Sequence, residues 1–408
     1  MVIGKVIVGG VGMTRFGKYS ERGVRSLAEE AVGDALKDAA VDPKDVEAVF
    51  FSNAIAGLIT GQEMIRGQVA LRNTGLLGVP LFNVENACAS ASSAFHLAWM
   101  AVASGLYDVT LAVGAEKMSH PDKSLTFRAI GTAVDLDQMR ELQSRMASRE
   151  KKSDGAEAGG EKKSFFMDIY AASTREYMKL SGATAETFAD IAVKSHNFGA
   201  LNPKAQYHDR VTREQVLAAR EVSPPLTVLM CSPVGDGSAA AVLMSEEYAH
   251  AHGIAQPVNV RASVVFSGRD RAANEPTALE RVVTRAYELS SIGPQDLDVV
   301  EVHDAAAPAE LIACEELGLC AKGGGPAFLA SGAMNLGGRH VVNPSGGLLS
   351  KGHPIGATGI AQIVEVVDQL RGRCGARQVS GAKVGLTENG GGFLGSDAAA
   401  MAVHIFSV

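Results

Sequence analysis

Cys88 lies in the stretch NVENACASASSAFHLA, residues 83–98, among Ala87, Ala89, Ser90 and Ala91 and directly ahead of an apolar helical pattern. A thiol at a helix N-terminus meets unpaired backbone N–H groups and the positive end of the helix dipole, both of which favour the thiolate. Its small neighbours leave room for a carbonyl carbon to reach the sulfur. The same position also suits a small hydrophobe filling a tight helix end, the usual fate of a free cysteine. A second stretch, NPSGGLLSKGHPIGATG (343–359), holds His353 beside Pro354 in a glycine-rich loop, again just ahead of an apolar helix. Glycines let backbone approach a ligand closely, and the proline fixes the chain next to the histidine. Because Cys–His pairs generate thiolate at neutral pH, the two stretches together read as a nucleophile and its base.

The elements that must position them repeat along the chain. The segment 25–54 reads as an amphipathic helix, a proline turn and a short strand, and the segment 277–306 repeats that order. DPKDVEAVFFSN, beginning at Asp42, matches GPQDLDVVEVHD, beginning at Gly293, at a constant offset of 251 residues. The Cys88 loop, helix and strand are echoed by the His353 loop, helix and strand. An internal duplication of a β/α unit predicts layered sheets with helices on their faces. The expected division is a first half of 1–118 and 225–255, an inserted substrate-covering segment of 119–224, and a second half of 256–408. Within the insert, 148–164 is charged and glycine-containing and reads as an exposed loop. The glycines of GGVGMTRFG do not make a dinucleotide fingerprint, since Arg15 stands where the third glycine belongs.

At 408 residues the chain calls for two or three structural units. A net charge of -7 without a basic stripe argues against a nucleic-acid partner. No run reaches the roughly 18 apolar residues of a membrane span, and the N-terminus lacks a secretory pattern, so the expected location is the cytoplasm. The five cysteines are scattered, without CxxC spacing for zinc, and no disulfide framework is expected. Cys231, Cys314, Cys320 and Cys374 read as ordinary core or surface thiols.

The chain resembles the thiolases throughout its length, on NACASASSA around Cys88, VHDAAAPAE (302–310), the His353 motif and ENGGGFLG (388–395). The His303-Asp304 form, followed by ELGLC, is closest to the sterol-carrier-protein-associated branch. The resemblance implies an α/β thiolase fold in which two duplicated halves form a layered αβαβα core with an inserted loop domain. It implies that Cys88 accepts the acyl group, that His353 activates it, and that His303 and His353 face the thioester oxygen of the leaving enolate. The backbone N–H groups of Cys88 and Gly390 would form a second oxyanion site, and Ser345 and Gly346 would contact coenzyme A. Coenzyme A is the implied co-substrate, with no metal or prosthetic group, and a homodimer or tetramer is the implied assembly.

The departures matter as much as the matches. Thiolases place an acid/base cysteine either in the final glycine-rich loop, where this chain has Glu388, or within the His-Asp motif, where it has Ala305. Glu388 is the candidate replacement, provided burial raises its pKa toward neutral; a carboxylate that only accepts hydrogen bonds from the loop is the other reading. The expected activity is CoA-dependent cleavage, or Claisen-type formation, of a β-keto acyl-CoA whose acyl part is bulky, branched, aromatic or dicarboxylic, of the benzoylsuccinyl type. The competing expectation is a thiolase-fold aldolase or C-acyltransferase working with a small zinc-ribbon and OB-fold companion. Phe165, Phe166 and Tyr170 could line an acyl pocket or simply pack a helix, and His196 is expected to order the inserted segment.

Overall fold

In the first half of the chain the strands are β1 (Val6–Met13), β2 (Ala48–Ser52), β3 (Leu81–Val84) and β4 (Val109–Glu116). A small ribbon of β5 (Glu221–Ser223) and β6 (Leu226–Thr227) precedes β7 (Gly237–Ser245). The second half contributes β8 (Val258–Ser267), β9 (Val299–Glu301), β10 (Val341–Val342), β11 (Val384–Leu394) and β12 (Asp397–Ser407). This is a computed structural model that describes residues 4–141, 165–272 and 274–408, with backbone alone for 165–168. The charged segment 148–164 and the side chains of Phe165 and Phe166 lie outside the described residues.

The sheet order shows the duplication directly. β2 lies parallel between β3 and β4, and β4, β7 and β1 follow antiparallel. In the second half β9 lies parallel between β10 and β11, and β11, β12 and β8 follow antiparallel. The two five-stranded halves join edge to edge where β1 meets β8, through only Ile7↔Asn259 and Val8↔Val258.

Helices fill three layers around these sheets. α1 (Val24–Ala39) covers the outer face of the first sheet, where its Ala31 and Ala35 join Ile7, Val49 and Leu111 in one cluster. The glycines of β1 serve this contact: a Cβ on Gly10 would lie 2.3 Å from the Ala39 nitrogen, and one on Gly12 would lie 2.4 Å from the Ala31 oxygen. Helix α2 (Ser90–Ala103) runs in the middle layer with α7 (Thr358–Leu370); their Phe95 and Ile363 pack with Val8 and Phe50 of one sheet and Val299 and Phe406 of the other. α7 is buried almost all round, as a helix between two sheets must be. The inserted segment supplies α3 (Phe165–Ser181) and α4 (Ala185–Gly199). The outer face of the second sheet packs against α4, α5 (Ala278–Ser290) and α6 (Ala307–Glu316). The result is the expected helix–sheet–helix–sheet–helix layering.

Candidate active site

Cys88 sits in a tight turn, Ala87–Ala89, that runs into α2. Ala87 is held at φ 48, a left-handed conformation that costs an alanine roughly 1–2 kcal/mol and is kept by its surroundings. Asn86 secures the turn: its backbone oxygen accepts the Ala89 N–H at 2.9 Å, its Nδ2 donates to Ser93 Oγ at 2.8 Å, and its N–H donates to Ser90 Oγ at 2.9 Å. The start of α7 lies against the start of α2: a Cβ on Gly359 would fall 2.1 Å from Ser92 Oγ, so glycine is required for the approach. This meeting of equivalent helix ends brings the cysteine of one half to the histidine of the other. The His353 loop is tied to the first sheet, with Ser52 Oγ donating to the Gly356 oxygen at 2.8 Å and the Gly356 N–H donating to Glu116 at 2.9 Å.

His303 follows the end of β9, and its N–H donates to Glu388 Oε2 on the adjacent β11 at 2.8 Å. Donor atoms of Cys88, His303 and His353 all lie within 4.8 Å of one another, and the two imidazole rings meet edge-on at a centroid distance of 5.1 Å. These three are the one group of described residues with the spacing of metal ligands. Cys88, His303, Glu388 and Gly390 line a cavity of about 200 Å³, to which α3 adds Tyr170. His353 is buried and does not line it.

The protonation states follow from burial and neighbours. Burial lowers the His303 pKa to about 4. Burial, aided by the charges of His303 and Lys351, holds His353 well below the usual histidine value. Both rings are therefore neutral at pH 7. The Thr358 hydroxyl donates to the Pro354 oxygen at 2.9 Å and lies 2.7 Å from His353 Nδ1, so Nδ1 carries the proton and Nε2 keeps its lone pair. The Cys88 thiol is pushed up to about 12, first by burial and then by the Glu116 charge, against the pull of the N–H groups of Gly392 and Cys88 itself. This corrects the expectation from the helix end: the resting group is a thiol, because desolvation outweighs the dipole. A thiol of this kind reacts only if a neighbouring group takes its proton, and neutral His353 has a free Nε2 lone pair within 4.8 Å of it. Burial, with the Glu316 charge, raises Glu388 to about 7, against the pull of the His303 N–H. A carboxyl so placed can both give and take a proton near neutral pH.

Other candidates fall elsewhere. Gly390 lines the cavity, but the glycine N–H set against the Cys88 sulfur is that of Gly392, two residues on. Ser345 and Gly346 do not reach the cavity. Ser345 is fully buried, its N–H and hydroxyl donating to Glu301 at 3.0 and 2.6 Å, and Gly346, at φ 100, packs against Gly199. They brace the loop that carries His353. Glu301 also binds Lys351 at 3.0 Å, and Glu310 binds Lys194 at 3.0 Å, so a buried ionic network supports the His303-Asp304 corner. Within it burial and the Glu310 charge raise the Asp304 pKa. All five cysteines are free. His196 orders the inserted segment as expected, bonding the Asp209 oxygen at 3.0 Å and stacking on Tyr207. Sequence reasoning missed Thr358, Glu116, Gly392 and Glu316; of these Thr358, inside the His353 motif, and Gly392, inside ENGGGFLG, left a signal in the sequence.

Comparison with known proteins gives the same picture. A family model described as the N-terminal domain of thiolase matches residues 5–220, and one described as thiolase C-terminal domain-like matches residues 262–404. An acetyl-CoA acetyltransferase of Methanothermobacter thermautotrophicus is 39% identical, over 98% of this chain and 99% of that protein. The benzoylsuccinyl-CoA thiolase subunit BbsB of Thauera aromatica is 38% identical, over 92% and 91%. Rat sterol carrier protein 2 is 36% identical over 94% of this chain and 69% of its own length. A solved structure, the Ltp2-ChsH2(DUF35) aldolase, superposes with a TM-score of 0.76 at 25% identity, covering 100% of this chain and 99% of that one. No described helix is long and apolar enough to cross a membrane.

Proposed function

Since this chain belongs to the thiolase family and is an acyltransferase enzyme using coenzyme A, we propose that it cleaves, or in reverse forms, a β-keto acyl-CoA with a bulky acyl part of the benzoylsuccinyl type. The observation that carries this reading is the convergence of Cys88, His303 and His353 within 4.8 Å, with Glu388 in the same cavity. The Cys88 sulfur attacks the β-carbonyl as its proton passes to His353 Nε2. The bond between the α and β carbons breaks, and the enolate of the shorter acyl-CoA leaves with its oxygen facing His303 and takes a proton from the Glu388 carboxyl. Cys88 is left as a thioester, close in energy to acyl-CoA. An incoming CoA thiol gives its proton to the Glu388 carboxylate and attacks that thioester, and the Cys88 thiolate departs and recovers its proton from His353.

The N–H groups of Gly392 and Cys88 support the tetrahedral oxyanion at sulfur, and Gly390 shapes the cavity beside them. Glu388 takes the place of the two absent acid/base cysteines because its raised pKa lets it serve in both directions. The site needs no metal for these steps. Intact-protein mass spectrometry after incubation with acyl-CoA tests the reading: an acyl adduct on Cys88, absent in C88A, is expected, and lack of any adduct would overturn it.

A second reading is a carbon–carbon lyase of the aldolase type with a small zinc-ribbon and OB-fold companion, favoured by the full-length likeness to the aldolase structure. It predicts no acyl-enzyme, so the same experiment separates the two. For assembly the proposal is a homodimer along β3, a sheet-edge strand whose Phe82 is 49% exposed. A mass measurement by light scattering checks it.

A further inference from the structure

Beyond its reactive end, the cavity around Cys88 is walled by apolar side chains, among them Leu279, Ile312 and Met401, and it contains a second carboxyl, that of Glu316 at the end of α6. Among the described residues no lysine or arginine lines it. Lys322 and Arg271 act on Glu316 through space without lining the cavity; Lys322 pairs with Glu280 at 2.6 Å, and Arg271 lies 3.7 Å from Asp397. A cavity of about 150 Å³ with apolar walls accepts a benzene ring, so the present volume of about 200 Å³ suits an acyl group of ring size.

We propose that the acyl group taken up by Cys88 is uncharged and of about ring size, and that Glu316 is a specificity-determining residue that rejects acyl groups ending in a carboxylate. The inference rests on the thiolase reading above and narrows it, placing any acid group of a dicarboxylic substrate on the half that leaves with coenzyme A. The physical ground is that an anionic acyl end would enter a space already lined by two carboxyl groups and, among the described residues, by no lysine or arginine. Like charges brought together out of water repel strongly, whereas a neutral ring or chain gains from the apolar wall. The Glu316 pKa is raised to about 7, chiefly by burial, so above that pH the group is ionised and the exclusion is fullest.

The test is the rate of Cys88 acylation at about pH 8, read as CoA release and as adduct mass, with two matched pairs. These are hexanoyl-CoA against adipoyl-CoA, and benzoyl-CoA against 4-carboxybenzoyl-CoA. In the wild-type protein each neutral member is expected to react at least about tenfold faster than its acid partner. In E316Q that ratio is expected to fall severalfold. Equal or faster acylation by the acid partners in the wild-type protein would overturn the inference without requiring any variant to fold, as would an unchanged ratio in folded E316Q. If Cys88 accepts none of the four, the thiolase reading itself fails, an outcome distinct from a reversed preference.

Discussion

The two halves of the molecule put different chemistry at the same place in the fold. At the offset of 251 residues that aligns them, Ser52 in the first half corresponds to His303 in the second. Ser52 Oγ donates to the Gly356 oxygen and is fully buried, so it fastens the His353 loop. His303 instead turns into the cavity beside Cys88, and its Nε2 has no hydrogen-bond partner. Their carboxyl groups differ in the same sense. Glu116 accepts from the N–H groups of Ala54, Ile55, Ala56 and Gly356 and from Asn53 Nδ2, a set that favours the anion although burial pushes its pKa up. Glu388 accepts from the His303 N–H in a cavity shared with Glu316. At these two pairs of positions the first half holds the site together, with Ser52 and Glu116 bonded to the loops around it, whereas His303 and Glu388 of the second half face the cavity.

The contrast is sharpest at His303. Replacing it with serine, the residue its counterpart carries, should lower kcat by about 10²–10³-fold, the cost of losing an oxyanion donor. The substitution should leave the melting temperature nearly unchanged. Steady-state thiolysis with thermal melts checks this, and a variant that loses stability but not rate would assign His303 to the scaffold.

Glu388→Gln is expected to reduce kcat by about 10²-fold with a smaller change in KM. In the wild-type protein the thiolytic step should quicken as pH rises through about 7, where the carboxylate becomes available to accept the CoA proton. The variant should lose that limb of the pH profile. Stability should move the other way. The folded pKa lies above the ordinary value of 4.5, so below that value folded and unfolded forms are protonated alike. As pH climbs toward about 7 the unfolded carboxyl ionises freely and the folded one resists, so stability is lost over that window, by up to about 3 kcal/mol. E388Q should therefore melt higher than wild type at about pH 8 and near it at about pH 4, if the protein stays folded there.

Glu116→Gln probes the scaffold side. The amide can accept through only one oxygen, leaving buried N–H groups unpaired, and should cost about 1–3 kcal/mol in denaturant unfolding. Removing the charge beside Cys88 should at the same time ease thiol ionisation, visible as faster iodoacetamide labelling at a given pH. The smallest effect belongs to Ser52→Ala, about 1 kcal/mol from one lost hydrogen bond to the Gly356 oxygen.

The duplication was legible because 3.6-residue and two-residue periodicities recur in the same order, and the sheets reproduce that order strand for strand. Cys88, His303, His353 and Glu388 were legible by residue type and motif, and they converge. A glycine-rich loop signals close backbone approach without saying whether ligand or protein approaches; at Gly346 the structure places Gly199. Gly392 lies inside the legible ENGGGFLG motif, but position along the chain does not tell which of its N–H groups meets the sulfur, nor that the helix end at Glu316 reaches the cavity.

The residues by themselves showed the alternating β/α order and the paired helix starts through local pattern, and pointed to the candidate reactive groups through their motifs and the resemblance they carry. Only the tertiary structure decided their protonation. Cys88 is a thiol and Glu388 a near-neutral acid because burial and through-space charges from Glu116 and Glu316 set the cost of ionising them. Those terms depend on distance and solvent access, which spacing along a chain does not encode.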